Sequence, residues 1–495
     1  MAAEPIILNP IGWVNARLLG GLRRTLAICG VYFVAAWLLL LMIYRAVQDG
    51  TTFATFAGGA YVLFVFIQAA VLFLGGANAV RRAIHRDFTT DMINSHRLTA
   101  MSGPTAVLGY LTGPTIQVVG LTFTTWLICS ILAVLSATPS TTALGPTVAL
   151  AISCCGALLM WTLTLLAAMS TRGKFSIIGL VAGVTVASNI QIAYLLPAVP
   201  LLLPTGVISL IRGTGVITAE MGMIVGMMAQ LALSFALFLG ASRRYTRDDV
   251  PAYRGRLAYA LLALFALIAG VGFYFVPDEN ARLPFVAPRI VFRTDVEMVA
   301  TLICLLLVAL VPVAAAARDS ALWTKRKAKD PHFTRPAPRP FYESAIISTL
   351  IITSVLGAVL NQRIPFLAYR PELNDQIRLA LIPAILMLAL LTLSAILRFC
   401  YSITSKAGWV VTLVIVLLWL IPMFADLSLE ALTGSPSYEN RTALFTSSPI
   451  GAWIASITDV RAPLLPGVCV QAFIAILALA LSRRALPRRL IGATL

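Results

Sequence analysis

The chain has 495 residues, 59% of them hydrophobic and 12% charged, with a mean hydropathy of +0.90. Those values exclude a soluble globular domain, because surface-to-volume scaling cannot bury nearly every segment, and they fit a polytopic membrane protein. The formal net charge of +17 does not point to nucleic acid, since the basic residues lie between apolar runs, where orientation signals for a bilayer lie.

About 25 residues precede the first apolar run, and that run is too long for a cleavable signal, so a retained signal anchor is expected. Within this leader Asn9-Pro10 opens a helical pattern in which Trp13, Leu18 and Leu22 share a face beside Arg17, Arg23 and Arg24. That suits a helix lying in the membrane interface, with Trp13, Arg17 and Leu18 as its contacts. A short basic tail is the plainer alternative.

Twelve apolar runs follow, each near the ~20 residues that a bilayer requires. They lie at about 27–46, 57–80, 108–137, 146–170, 175–202, 219–242, 257–276, 296–317, 342–360, 378–397, 407–425 and 464–482. The third is overlong and is expected to bend at Gly113-Pro114, and the fifth ends in a proline-rich stretch at 195–204. The fold class expected is an all-α polytopic membrane protein of about twelve transmembrane helices. With the N-terminus inside, the inner segments hold 27 of the 37 Lys and Arg residues. This predicts a plasma (inner) membrane protein with both termini cytoplasmic.

Residues 1–250 and 251–495 each hold six runs and open on a basic inner segment, so two six-helix halves are one reading. Pro204-x-Gly206 and Pro449-x-Gly451 each introduce an apolar stretch before the last run of a half. The basic, proline-rich segment 325–340 is expected to be an extended linker touching anionic lipid.

Motifs for chemistry are missing. Gly173-Lys174 is followed by Phe175, so the chain builds no P-loop and hydrolyses no nucleotide itself. The cysteines (Cys29, Cys129, Cys154, Cys155, Cys304, Cys400 and Cys469) lie in or beside apolar runs without a Cys-x-x-Cys pair. Three histidines, His85, His96 and His332, offer no metal site. Charged residues fall at run ends, and the amides Gln68, Asn78, Gln117, Asn189, Gln191, Gln230 and Gln471 read as interhelical hydrogen-bond partners. The outer pair Asp278-Glu279 is what a lipid or glycosyl transferase would use, although solvated surface acids read the same way. No catalytic, cofactor-binding or metal residue is expected in this chain.

One polar island stands out between the second and third runs, residues 81–111. No glycine or proline occurs from Arg82 to Leu98, so one helix is allowed, with Ile84, Phe88 and Met92 forming an apolar seam. Arg82 and Arg86 share that four-residue spacing, as do Asp87 and Asp91, and Ser102-Gly103-Pro104 ends the segment. The expectation is a short amphipathic helix, about 82–101, on the cytoplasmic surface. A merely solvated loop is the alternative.

This island resembles the coupling region of type-2 ABC exporter permeases. Asp87 stands near that family's acid, Met92 and Ile93 at its aliphatic places, Thr99-Ala100-Met101-Ser102 at its Thr-Pro-Leu-Ser, and Val107-Leu108-Gly109-Tyr110-Leu111 at its run into the third span. Thr89, Ala100 and Tyr110 depart from the pattern's Gly, Pro and Lys. The resemblance covers about 1–245, and reaches 251–495 only through span order. It implies a non-enzymatic permease subunit that ejects an unidentified substrate and docks a separate ABC ATP-binding subunit, where ATP would be held. The contacts implied are Arg82, Arg86, Asp87, Phe88, Asp91, Met92, Arg97 and Met101. An ion-coupled secondary transporter is the alternative of a different mechanism, and the transferase comes third.

Overall fold

The computed structural model describes residues 9–48, 50, 52–98, 101–136, 144–171, 219–246, 252–275, 294–330, 338–367, 373–403, 416–422, 425–426, 442–457 and 463–491. Among them every regular element is a helix. Eight helices are long and apolar enough to cross a membrane: Gly21–Val47, Phe53–Thr89, Ile116–Leu135, Gly145–Thr171, Ile224–Thr246, Leu305–Lys327, Leu381–Ser402 and Leu464–Ser482. The protein is an integral membrane protein of the all-helical class. Twelve spans are not reached among the described residues. Arg256–Val271 and Phe341–Val355 are shorter apolar helices, the run at 175–202 lies outside the described residues, and 407–425 does so for most of its length.

The chain divides into two compact units, Met1–Ala193 with Val199–Ala252, and Tyr253–Leu495 with Tyr194–Ala198. The first begins with α1 (Pro10–Leu18), started by Asn9, whose side chain accepts from the Ile11 amide at 3.0 Å, and by Pro10 in the first turn. Gly20 and Gly21 follow with φ of 92° and 65°, a left-handed pair that turns the chain sharply into α2 (Gly21–Val47). Leu22 therefore belongs to α2 and not to the face of Trp13 and Leu18. Helix α3 (Phe53–Ala70) passes through a π turn (Val71–Gly75) into α4 (Gly76–Thr89) without leaving the helical path. The π turn loosens the backbone ladder, and the Trp161 indole donates to the Leu72 carbonyl at 2.8 Å. A Cβ at Gly76 would lie 2.0 Å from that indole nitrogen, so only glycine admits the ring.

Then come α5 (Met92–Leu98), α6 (Gly103–Thr112), α7 (Ile116–Leu135), α8 (Leu144–Thr171) and α9 (Ala219–Thr246). The expected bend at Gly113-Pro114 is present as the break between α6 and α7. One apolar cluster joins Ile11, Val80, Ile84, Ile93, Val107, Trp161 and Leu165. Another joins Leu40, Phe64, Ile128 and Leu132 across α2, α3 and α7. The amide expectations divide: the Gln117 amide donates to the Leu19 carbonyl at 2.8 Å, whereas Gln68 is buried with neither amide atom paired. Asn189 and Gln191 lie outside the described residues.

The second unit holds α10 (Arg256–Phe275), α11 (Thr294–Lys329), α12 (Phe341–Leu367) and α13 (Leu373–Ile403). It also holds the short pair α14 (Ala443–Ser447) and α15 (Pro449–Ile457), then α16 (Leu464–Ile491). The stretch after Pro449-x-Gly451 is thus helical, and Gly451 is required where a Cβ would meet the Phe445 carbonyl at 2.1 Å. Gln471 donates to the Thr446 carbonyl at 2.9 Å, an interhelical bond as expected. Its counterpart at 203–211, and the pair Asp278-Glu279, lie outside the described residues. One expectation is corrected here. Residues 325–329 are not extended but continue α11, because Lys, Arg and Ala are good helix formers and no proline intervenes before Pro331.

Candidate functional site

The polar island does not form one helix. The hydroxyls of Thr89 and Thr90 both donate to the Arg86 carbonyl, at 2.8 and 2.9 Å, and close the end of α4. Asp91 then takes a left-handed φ of 59°, which a short polar side chain tolerates best. Its carboxylate accepts from the Asn94 amide at 2.7 Å and helps to start α5. The expected surface helix over 82–101 is corrected to the polar end of a 37-residue helix, Phe53–Thr89, a tight turn, and a seven-residue helix. The seam fails at that turn: Ile84 is buried, whereas Met92 is exposed. Thr99 and Ala100 lie outside the described residues.

Asp87 is the centre of the site. It is only 5% exposed, and a carboxylate this buried needs partners. The Tyr110 hydroxyl donates to Oδ2 at 2.7 Å, Arg86 Nε donates to Oδ1 at 3.4 Å, and His96 Nε2 stands 3.9 Å from Oδ2. Arg86 also donates through Nη2 to the Asn15 side chain on α1. Tyr110 sits on α6, before the spanning helix that starts at Ile116; burial first, and then the Asp87 charge, push its phenol well above the ordinary range. It stays a donor at any physiological pH.

Close backbone approaches brace this cluster. Asn9 donates to the Thr105 carbonyl, and a Cβ at Gly109 would lie 2.7 Å from the Asn9 side chain. One at Gly113 would lie 2.4 Å from the Gly12 carbonyl. Arg97 Nε donates to the Tyr245 carbonyl at 2.7 Å, its guanidinium 5.7 Å from that ring, and a Cβ at Gly103 would meet the Ser242 carbonyl at 2.5 Å. Helices α1, α4, α5, α6 and the end of α9 are therefore interlocked.

No protein-family model, curated protein or solved structure matches the chain. The site must be read from its own geometry.

Of the eight expected partner contacts, Arg82, Asp91 and Met92 are exposed. Phe88 and Met101 pack against the apolar cluster beneath. Asp87 and Arg97 spend their polar atoms inward, and Arg86 is shared between Asn15 and Asp87. The expected interfacial residues Trp13, Arg17 and Leu18 are all exposed on α1, with the Arg17 guanidinium 4.7 Å from the centre of the Trp13 ring. Between α1 and the α4–α5 turn lies a cleft of about 300 Å³. Ile11, Val14, Leu18 and Met92 form its apolar side, and Arg86, Asp87 and His96 its polar side. Sequence reasoning missed Asn15, Tyr110 and Tyr245. Tyr110 was visible only as a departure from the family pattern, and nothing local marks Asn15 or Tyr245 as partners of residues 71 and 148 positions away. Among the described residues no group of three His, Cys, Asp or Glu side chains is placed to hold a metal.

Proposed function

We propose that the chain is the membrane-spanning permease subunit of an ATP-driven exporter of the type-2 ABC class. A separate P-loop subunit would supply hydrolysis. One observation carries this reading: the helix Phe53–Thr89 runs unbroken from a span into the polar island, and Asp87 ties that end to α6 through Tyr110 while Arg86 ties it to α1. A push on the exposed face of α5 would move the second and third spans together, since packed elements transmit displacement and do not absorb it. Asp87 then acts as a positioning residue, and Arg82, Asp91 and Met92 are the residues that meet the motor. Transport direction, twelve spans, cytoplasmic termini and a plasma-membrane location belong to this same reading.

The test is co-purification of a P-loop ATPase encoded beside this chain. Arg82→Glu with Asp91→Asn, both at exposed positions and the second compatible with the left-handed turn, is expected to abolish copurification and substrate-stimulated hydrolysis while leaving the melting temperature of the permease nearly unchanged. Undiminished binding and hydrolysis in that double variant would remove the coupling role. A second reading, an ion-coupled carrier, is favoured by the buried carboxylate of Asp87 near one end of a spanning helix. Flux that persists after ATP depletion and follows a proton gradient would select it.

A further inference from the structure

The cleft between α1 and the α4–α5 turn has two unlike walls, and together they describe a ligand. Ile11, Val14, Leu18 and Met92 form an apolar trough, and Leu18 and Met92 are 59% and 43% exposed. Beside it stands the Arg86 guanidinium, 42% exposed, with Nε given to Asp87 and Nη2 to Asn15. No hydrogen bond to a described residue engages its Nη1. The Asp87 carboxylate is the counter-ion of Arg86 and lies behind it, buried with its oxygens turned to Tyr110 and Arg86, so an incoming phosphate meets the guanidinium first.

Position adds a further constraint. The apolar part of the Phe53–Thr89 helix gives way to charge at Arg81 and Arg82, and α2 turns apolar after Arg23 and Arg24. The end of α9 carries Arg243 and Arg244 and packs on α5 and α6. The cleft therefore lies at the level where three spanning helices change from apolar to basic, which is the headgroup level of a bilayer. Trp13, with Arg17 over its ring, sits on the same short helix, an interfacial pairing.

We infer that this cleft is a binding site for one anionic glycerophospholipid, its phosphate on Arg86 and the start of an acyl chain along Ile11, Val14, Leu18 and Met92. The choice of lipid over a partner protein follows from chemistry and level together: the rim offers a guanidinium donor among arginine-rich helix ends, the trough is apolar, and the bilayer supplies both complements at that depth. At about 300 Å³ the cleft is at the small end of ligand pockets, roughly 300–1,000 Å³, and admits a single chain. The inference requires only that the chain sit in a bilayer, and is independent of ATP coupling.

The experiment is native mass spectrometry of the full chain in detergent, titrated with equal amounts of dioleoyl phosphatidylglycerol and dioleoyl phosphatidylcholine. One phosphatidylglycerol retained per chain, in preference to phosphatidylcholine, is the expected result. Arg86→Gln should lower that retention about tenfold, the factor that roughly 1.4 kcal/mol represents. Met92→Trp, which fills the trough and leaves the charge in place, should lower it as well, and it carries the test should Arg86→Gln fail to fold. Arg254→Gln, in the second unit, should retain lipid as the wild type does. Equal retention of the two lipids overturns the inference, as does wild-type retention in both cleft variants or a comparable loss in Arg254→Gln. Displacement of the lipid by inorganic phosphate, or a lipid-free cleft protected instead by a copurified protein, overturns it too.

Discussion

Each unit carries a basic end, and the two ends are held in different ways. In the first, a buried carboxylate collects a tyrosine, an arginine and a histidine from three helices, and glycines let α1 and α6 touch backbone to backbone. In the second, α11 runs straight into its basic segment and is held from the side. Arg254 pairs with Asp319 at 2.7 Å in an exposed position, Lys325 donates to the Tyr401 carbonyl at 3.0 Å, and Lys327 lies 5.0 Å from the Trp323 ring. Exposed pairs of that kind contribute little, whereas a buried charge stripped of its partners is costly. Composition alike in kind thus produces a braced end in one unit and a solvated helix in the other.

The contrast can be broken by seven substitutions, each read as thermal unfolding of the purified chain in one detergent. Asp87→Ala leaves the buried Tyr110 hydroxyl without its acceptor and should cost about 1–3 kcal/mol, while Asp319→Ala should cost less than about 1 kcal/mol. Equal losses would erase the distinction between the two ends. Tyr110→Phe removes one bond to a charged acceptor and should cost about 1.5–3 kcal/mol, with no matching loss if the carboxylate were solvated. Gly113→Ala drives a methyl group against the Gly12 carbonyl and Asn15 and should cost about 1–3 kcal/mol. Gly357→Ala in α12 meets nothing within 4 Å, and should be neutral or gain up to about 1 kcal/mol. At the turn, Asp91→Val forces a β-branched residue to positive φ and should cost about 1–2 kcal/mol, whereas the smallest effect belongs to Asp91→Asn, which should stay within about 0.5 kcal/mol.

Much of the architecture was legible because hydropathy and helix length are local properties. The break at Gly113-Pro114, the Asn9-Pro10 helix start and the helical stretch after Pro449 all follow from backbone chemistry within a few residues. The candidate site was legible only in outline. Spacing placed Asp87 and Asp91 on one helix face, but the threonines at 89 and 90 turn their hydroxyls back on the Arg86 carbonyl and end the helix between them. Asp87 consequently faces inward and Asp91 outward. Residues 325–329 erred the other way, since the prolines that follow them broke no helix before Lys329.

By itself the sequence determined that this chain is a bundle of apolar helices in a membrane, with a polar island between two of them. That conclusion follows because transfer of apolar surface scales with composition and each span closes its own backbone hydrogen bonds. What only the tertiary structure decided is what the island does with its charges. Asn15, Tyr110 and Tyr245 come to Arg86, Asp87 and Arg97 from far along the chain. Whether a carboxylate is a surface contact or the pin of a buried cluster depends on those distant neighbours and on the water they exclude.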